Sequence, residues 1–198
     1  EAKKAGVKKL VHISALGADR FSRSKYASSK AMGEELLLKK FPQATILRPS
    51  VVFGKDDNFF NKFSRMATLS PFLPLIGGGK TLFQPVYVKD VSSAVMRVLD
   101  TTETNGKLYE LGGPSIYSFK ELIDLTMQIS KKRRLLWNLP FWLAHLQARC
   151  MEKLPNPVLT CDQLELLKRD NIVSKEALTL SDLDISATDC KLILPTYL

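Results

Sequence analysis

No apolar run in this sequence reaches the roughly 20 residues that a helix needs to cross a bilayer. The opening stretch EAKKAGVKK has neither the apolar centre of a signal peptide nor an initiator methionine. An internal piece of a longer protein is therefore expected, with no spanning helix of its own. Cysteine is scarce: Cys150, Cys161 and Cys190 are odd in number, lack CxxC spacing and have no histidines placed to complete a zinc site. That argues against a disulfide framework and a structural metal, and for a reduced compartment. Signatures of nucleic-acid modules are absent, and the aromatic residues stand among aliphatic ones instead of alternating with basic ones. The net charge of +9 then suits a phosphate-bearing cofactor or an acidic membrane surface, and no nucleic acid is expected.

What is present is a chain of 198 residues, 45% apolar and 25% charged, enough for a buried core. LVHIS, residues 10 to 14, reads as a buried strand, and residues 24 to 41 as a helix with Ala27, Ala31 and Gly33 on a close-packed side, ended by Pro42. ATILRPSVVFG carries a second strand, expected to finish near Arg48 because Pro49 follows. Strand, helix and strand suggest a parallel βαβ unit. Residues 58 to 69 read as a helix, PFLPLIGGGK as a Pro/Gly loop, QPVYV as a short strand, and Asp90 as the N-cap of an amphipathic helix through Leu99. KLYEL is a further strand, and Ser118 with Glu121 forms a capping box before another helix.

Tyr26 and Lys30 stand four apart in that first helix. Lysine fills 20 of 198 positions, so the spacing alone decides nothing. On a helix, however, the pair shares a face, and an adjacent ammonium lowers a phenol's pKa toward the range useful for proton transfer. Ser14 ends a strand twelve residues earlier, and Pro49, Ser50 and Val51 follow the next one. In parallel α/β sheets ligands bind beyond such strand ends, so these residues converge on one crevice.

LVHIS, Tyr26-Ala-Ser-Ser-Lys30, LRPSVVFG and QPVYVKDVSSAV, in this order, resemble the extended and atypical short-chain dehydrogenase/reductase superfamily over roughly the first 115 residues. HISALGAD, SKYASSKAMGEE, FPQATILRPSVVFGKDDNFFNKF, GGGKTLFQPVYVKDVSSAV and the closing ISATDCKLILPTYL are most similar to the dehydrogenase-like accessory subunits of respiratory complex I and their bacterial relatives. The resemblance implies NADP(H) or NAD(H) as cofactor. Lys30 would bind the nicotinamide ribose, Tyr26 would be the acid/base beside the nicotinamide, Ser14 would assist it, and Pro49, Ser50 and Val51 would line that end. It further implies a nucleotide held structurally, complex I subunits as partners, and a bacterial cytoplasmic or membrane-associated setting or the matrix side of the mitochondrial inner membrane. Such folds open with a G-x-x-G-x-x-G turn that cradles the pyrophosphate, and the turn does not occur here. The full cofactor site would need that segment.

The expected architecture is α/β: residues 1–114 as the second half of a Rossmann-like, doubly wound parallel sheet, and residues 115–198 as a smaller, mostly helical region. Two other functions fit the residues. One is a working NAD(P)-dependent epimerase, dehydratase or reductase on a nucleotide sugar or similar substrate, using Tyr26 and Lys30. The other is a nucleotide-free docking module. Gly77-Gly78-Gly79-Lys80-Thr81 is no phosphate loop, since Pro occupies position 74 and a strand follows. His12 and His145 lack partners at ligand spacing. The basic run Lys131 to Arg134 before Leu135, Leu136, Trp137, Phe141 and Trp142 suits either a membrane-surface or partner-docking element, or a helix ending whose aromatics join the C-terminal core.

Overall fold

The structure is a computed structural model describing residues 2–155 and 157–198. The chain runs β1 (Val11–Ile13), α1 (Lys25–Lys40), β2 (Thr45–Pro49), β3 (Val52–Phe53), α2 (Phe60–Leu69), β4 (Phe72–Ile76), β5 (Leu82–Phe83), β6 (Val86–Tyr87), α3 (Val88–Asp100), β7 (Leu108–Leu111), β8 (Tyr117–Ser118), α4 (Phe119–Ile129), β9 (Leu135–Leu139), α5 (Phe141–Met151), α6 (Cys161–Leu166) and α7 (Cys190–Ile193). Strands β1, β2 and β7 form a parallel sheet in that order, with Ile13 opposite Leu47 and Pro49 opposite Leu111. The middle strand is covered on both faces, so Thr45, Ile46 and Leu47 are all buried and its sequence shows no alternation. Two further parallel pairs, β3 with β6 and β4 with β9, and an antiparallel pair, β5 with β8, form separate two-stranded sheets.

Helix α1 contains no β-branched residue, takes its cap from the Ser24 hydroxyl, which accepts from the Ala27 amide, and ends in Lys39 and Lys40, which favour the carbonyl end of the helix dipole. Helix α3 buries Ala94 and Val98 against Leu47, Tyr109 and Leu111, and the segment carrying Leu180 and Leu183 closes this core. A second core holds Phe53, Phe60, Phe83 and Phe119 with Leu122 and Leu194. Its rings meet edge to face, Phe59 to Phe60 at 5.0 Å and Phe63 to Phe119 at 5.4 Å between centroids.

Four local expectations are corrected. The segment PFLPLIGGGK is a strand followed by a glycine turn: β4 pairs with β9 alone, and an edge strand tolerates Pro74. The turn needs its glycines, for Gly79 has φ +67° and a Cβ there would lie 2.6 Å from Leu75 Cδ1. Strand β2 runs one residue further, through Pro49. Asp90 is no N-cap but a buried first-turn residue of α3, whose carboxylate accepts from the Thr188 amide at 2.7 Å and hydroxyl at 3.1 Å, pinning the C-terminal segment onto the helix. The stretch after the basic run is strand β9 and then α5, with Trp137 and Trp142 on the surface at 56% and 70% exposure. Part of the basic run serves α2: Lys132 Nζ donates to the mid-helix Ser64 carbonyl at 2.9 Å, and Arg134 Nε to the Ala67 carbonyl at 2.6 Å, satisfying a carbonyl of the last turn.

Burial, and next the carboxylate of Asp189, push the Cys190 thiol up to about 11 from its ordinary 9.0. The folded chain thus holds this proton more tightly than the unfolded one. Its contribution to stability is full below pH 9 and is lost as pH rises through about 11. Alkylation at pH 8 should label exposed Cys150 first and Cys190 only after unfolding, read by peptide mass; equal labelling rates would contradict this placement.

Candidate functional site

Tyr26 and Lys30 occupy successive turns of α1. The position of that helix is fixed from far along the chain. Asp162, at the start of α6, accepts from the Lys25 amide at 2.6 Å, the Tyr26 amide at 3.2 Å and the Ser24 hydroxyl at 3.0 Å. A carboxylate thereby satisfies the free N–H groups of the first turn and faces the positive end of the helix.

Lys30 Nζ lies 5.7 Å from the centroid of the Tyr26 ring and donates to the Ile13 carbonyl at 3.4 Å, so α1 is tied to the C-terminal end of β1. Ser14 is next along the chain. Its amide donates to the Leu47 carbonyl at 2.8 Å, while its hydroxyl is buried and has no hydrogen-bond partner among the described residues. Such an orphan costs roughly 1–3 kcal/mol until a ligand or water meets it. Ser14→Ala should therefore leave thermal stability unchanged or raise it by about 1 kcal/mol, and weaken nucleotide binding. A clear loss of stability would show that the hydroxyl already has a structural partner.

Tyr26 is 46% exposed, and burial raises its phenol above the ordinary value of 10.0 instead of the expected lowering. The ammonium stands over the ring face, and desolvation decides the direction. Tyr26, Pro49, Ser50 and Val51 line one cleft of about 500 Å³, closed by the loop after β1 and by residues 165–174. Ser14 and Lys30 do not line it; they stand beside it, joined through Ile13. The Ser50 hydroxyl donates to Asn171 Oδ1 at 2.6 Å, so Ser50 offers the cleft a wall and not a free donor.

Sequence reasoning missed the cleft's charged floor. Arg48 donates to both carboxylate oxygens of Glu34, at 2.9 and 2.6 Å, and lies 3.7 Å from Glu110, whose other oxygen accepts from the Ser174 amide. Those pairings, with Glu34 first, hold the Arg48 pKa above its ordinary value against burial. The available signal was an arginine within an apolar strand, which requires buried partners. Asp162 and Asn171 gave no local signal, since their partners lie far away along the chain, Ser24, Lys25 and Tyr26 for the one and Ser50 and Leu82 for the other.

Residues 1–112 match the NAD dependent epimerase/dehydratase family. The chain is 37% identical over 190 residues to the mitochondrial NADH dehydrogenase (ubiquinone) 1 alpha subcomplex subunit 9 of Arabidopsis thaliana, covering 91% of this chain and 47% of that protein. It is 34% identical over 188 residues to the protein of the same name from Dictyostelium discoideum, covering 92% and 52%. The chain thus spans about half the length of these curated relatives. Among solved structures, dTDP-glucose 4,6-dehydratase of Bacillus anthracis superimposes with a TM-score of 0.71 at 18% identity, over 99% of this chain and 62% of that one, which bears on fold alone. Both resemblances carried by the residues hold, to the dehydrogenase-like superfamily and to the complex I subunits. With more than half of its length matched and a parallel α/β fold in agreement, the chain belongs to the NAD dependent epimerase/dehydratase family.

Proposed function

We propose that this chain is the nucleotide-binding part of an accessory subunit of NADH:ubiquinone oxidoreductase, holding NAD(H) or NADP(H) as a structural element. The observation that carries this reading is the 37% identity to a protein named as a subunit of that enzyme, extending over 91% of the chain and so well past residue 112. The relatives' names support a mitochondrial location, and within this proposal the protein stands on the matrix side of the inner membrane.

The buried, unpartnered hydroxyl of Ser14 and the lightly engaged ammonium of Lys30 suit a polar ligand at this edge of the cleft. Lys30 would hold ribose hydroxyls, Ser14 would donate to a polar atom of the ligand, and Pro49, Ser50 and Val51 would exclude water from one side. A nicotinamide dinucleotide supplies hydride transfer when bound. Tyr26, with its phenol raised and protonated, is suited to donating a hydrogen bond and not to taking up a proton at neutral pH. Residues 1–114 would carry the nucleotide part and residues 115–198 the smaller region. The exposed Leu135, Trp137, Trp142 and Leu146 with the neighbouring basic run would meet a complex I partner at the membrane surface.

A working NAD(P)-dependent oxidoreductase, epimerase or dehydratase is the second reading, favoured by Ser14, Tyr26 and Lys30 being linked around one strand end. Tyr26→Phe in the full-length protein separates the two. The accessory-subunit reading expects complex assembly within about twofold of normal. Loss of a substrate turnover by 10²-fold or more, the usual scale for a general acid or base, would transfer the assignment to the enzyme.

A further inference from the structure

Beside the Tyr26 cleft lies a second cavity, which shares Val51, Phe83, Leu166 and Leu167 with it as a common wall. It has about 350 Å³, within the range of ligand pockets. Its walls come from α2, the β4–β9 pair and the α5–α6 segment, and are predominantly apolar: Phe59, Phe63, Met66, Phe83, Leu139 and Leu159 among them. A cavity of this kind in a water-facing protein is stabilised by an apolar occupant, at about 0.8 kcal/mol per buried CH₂.

The chemistry changes sharply at one end. Asn58, Lys62, Met66, Val158 and Gln163 also line an adjoining polar cleft of about 710 Å³, in which Lys55 and Arg65 stand beside Lys62. Asp56 and Asp57 line the same cleft, so its three cations exceed its carboxylates by one; Asp57 is held from within, one oxygen accepting from the amides of Phe59, Phe60 and Asn61 and the other from the Tyr197 hydroxyl. Among the described residues Lys55, Lys62 and Arg65 form no ion pair. Lys62 Nζ donates to the Val158 carbonyl, at the junction of the two spaces. Burial pulls its ammonium below the ordinary value, a penalty that an anion placed there would relieve.

We propose that this double cavity binds a single-chain anionic lipid, its acyl chain in the apolar pocket and its carboxylate or phosphate head against Lys62, Lys55 and Arg65. The arrangement matches an amphiphile at both ends: an apolar space of about 350 Å³, and at its mouth three cations that form no ion pair among the described residues. A nucleotide sugar would place polar hydroxyls against phenylalanine and leucine, which is costly where few partners are available. This inference does not rest on the accessory-subunit reading, because its measurement is made without complex I.

The test is fluorescence titration of the full-length protein with cis-parinaric acid, a fluorescent long-chain carboxylate, followed by displacement with palmitate or with lysophosphatidic acid. Saturable one-to-one binding is expected, displaced by the ligand whose head is preferred, which distinguishes carboxylate from phosphate. Lys62→Glu, at a half-buried position, should raise the dissociation constant at least tenfold. Leu166→Trp, which fills the wall between this pocket and the Tyr26 cleft, should abolish binding while circular dichroism remains unchanged. The methyl ester of the probe should bind more weakly than the acid. Absence of saturable binding, or an affinity that Lys62→Glu leaves unchanged, would overturn the proposal even where Leu166→Trp fails to fold.

Discussion

Arg48→Met should lower the free energy of unfolding by about 3–5 kcal/mol, the scale for removing one partner from a buried ion pair. The guanidinium sits between two carboxylates that are themselves nearly inaccessible, with side-chain exposures of 7% for Glu34 and 9% for Glu110. Without it both anions remain in the interior, and neither has another cation in contact among the described residues. The damage would also reach the cleft. Glu34 belongs to the helix that carries Tyr26 and Lys30, and Glu110 holds the Ser174 amide in the cleft's wall. Urea unfolding of the variant beside the parent protein measures the effect. A loss below about 1 kcal/mol would mean that the triad is solvated like a surface pair. Adding Glu34→Gln to the variant should recover part of the loss, because one stranded charge is removed.

Lys30→Met should reduce nicotinamide-nucleotide affinity by roughly 10- to 100-fold, since hydrogen bonds from a charged donor contribute about 1.5–3 kcal/mol. Stability should change little: the side chain is only half-buried, and its one hydrogen bond among the described residues is a long 3.4 Å contact to the Ile13 carbonyl. Titration of the full-length protein with NADPH and NADH, following nicotinamide fluorescence, reads the effect and also shows which dinucleotide is preferred. Equal affinity in parent and variant would remove Lys30 from the nucleotide site. A large loss of stability with unchanged affinity would recast it as a tie between α1 and β1.

The parts that were legible in the sequence are those set by local chemistry. Helix α1 was bounded to a residue by Ser24 and Phe41, because a side-chain cap and a following proline act within one turn. The capping box of Ser118 and Glu121 was found for the same reason. Strand β4 was hidden because Pro71, Pro74 and three glycines signal a loop; only its partner β9, some sixty residues later, makes it a strand. For the aromatic run after Arg134 the sequence left a docking element and a core-packed helix ending both open; pairing with β4 makes its first part a strand, and Trp137 and Trp142 are exposed instead of joining the C-terminal core.

The candidate site divides along the same line. Tyr26, Lys30, Ser14 and Pro49 to Val51 were visible through spacing and through their places at strand ends. Arg48 could have been flagged, for an arginine between Leu47 and Pro49 in a buried strand demands partners. Asp162 and Asn171 could not: each acts by reaching across the fold, Asp162 to the first turn of α1 and Asn171 to Ser50 and the Leu82 carbonyl. The direction of the Tyr26 pKa also depended on three dimensions, because spacing gives the distance to Lys30 but not whether its ammonium approaches the hydroxyl or the ring.

The most direct test of the central claim is native gel electrophoresis of the endogenous full-length protein from gently solubilised membranes, with NADH dehydrogenase activity stained in the same lane. The account predicts co-migration with the active complex, and loss of that co-migration when Trp137 and Trp142 are both replaced by glutamate. Migration of the parent protein as a small free species, away from the stained band, would contradict it.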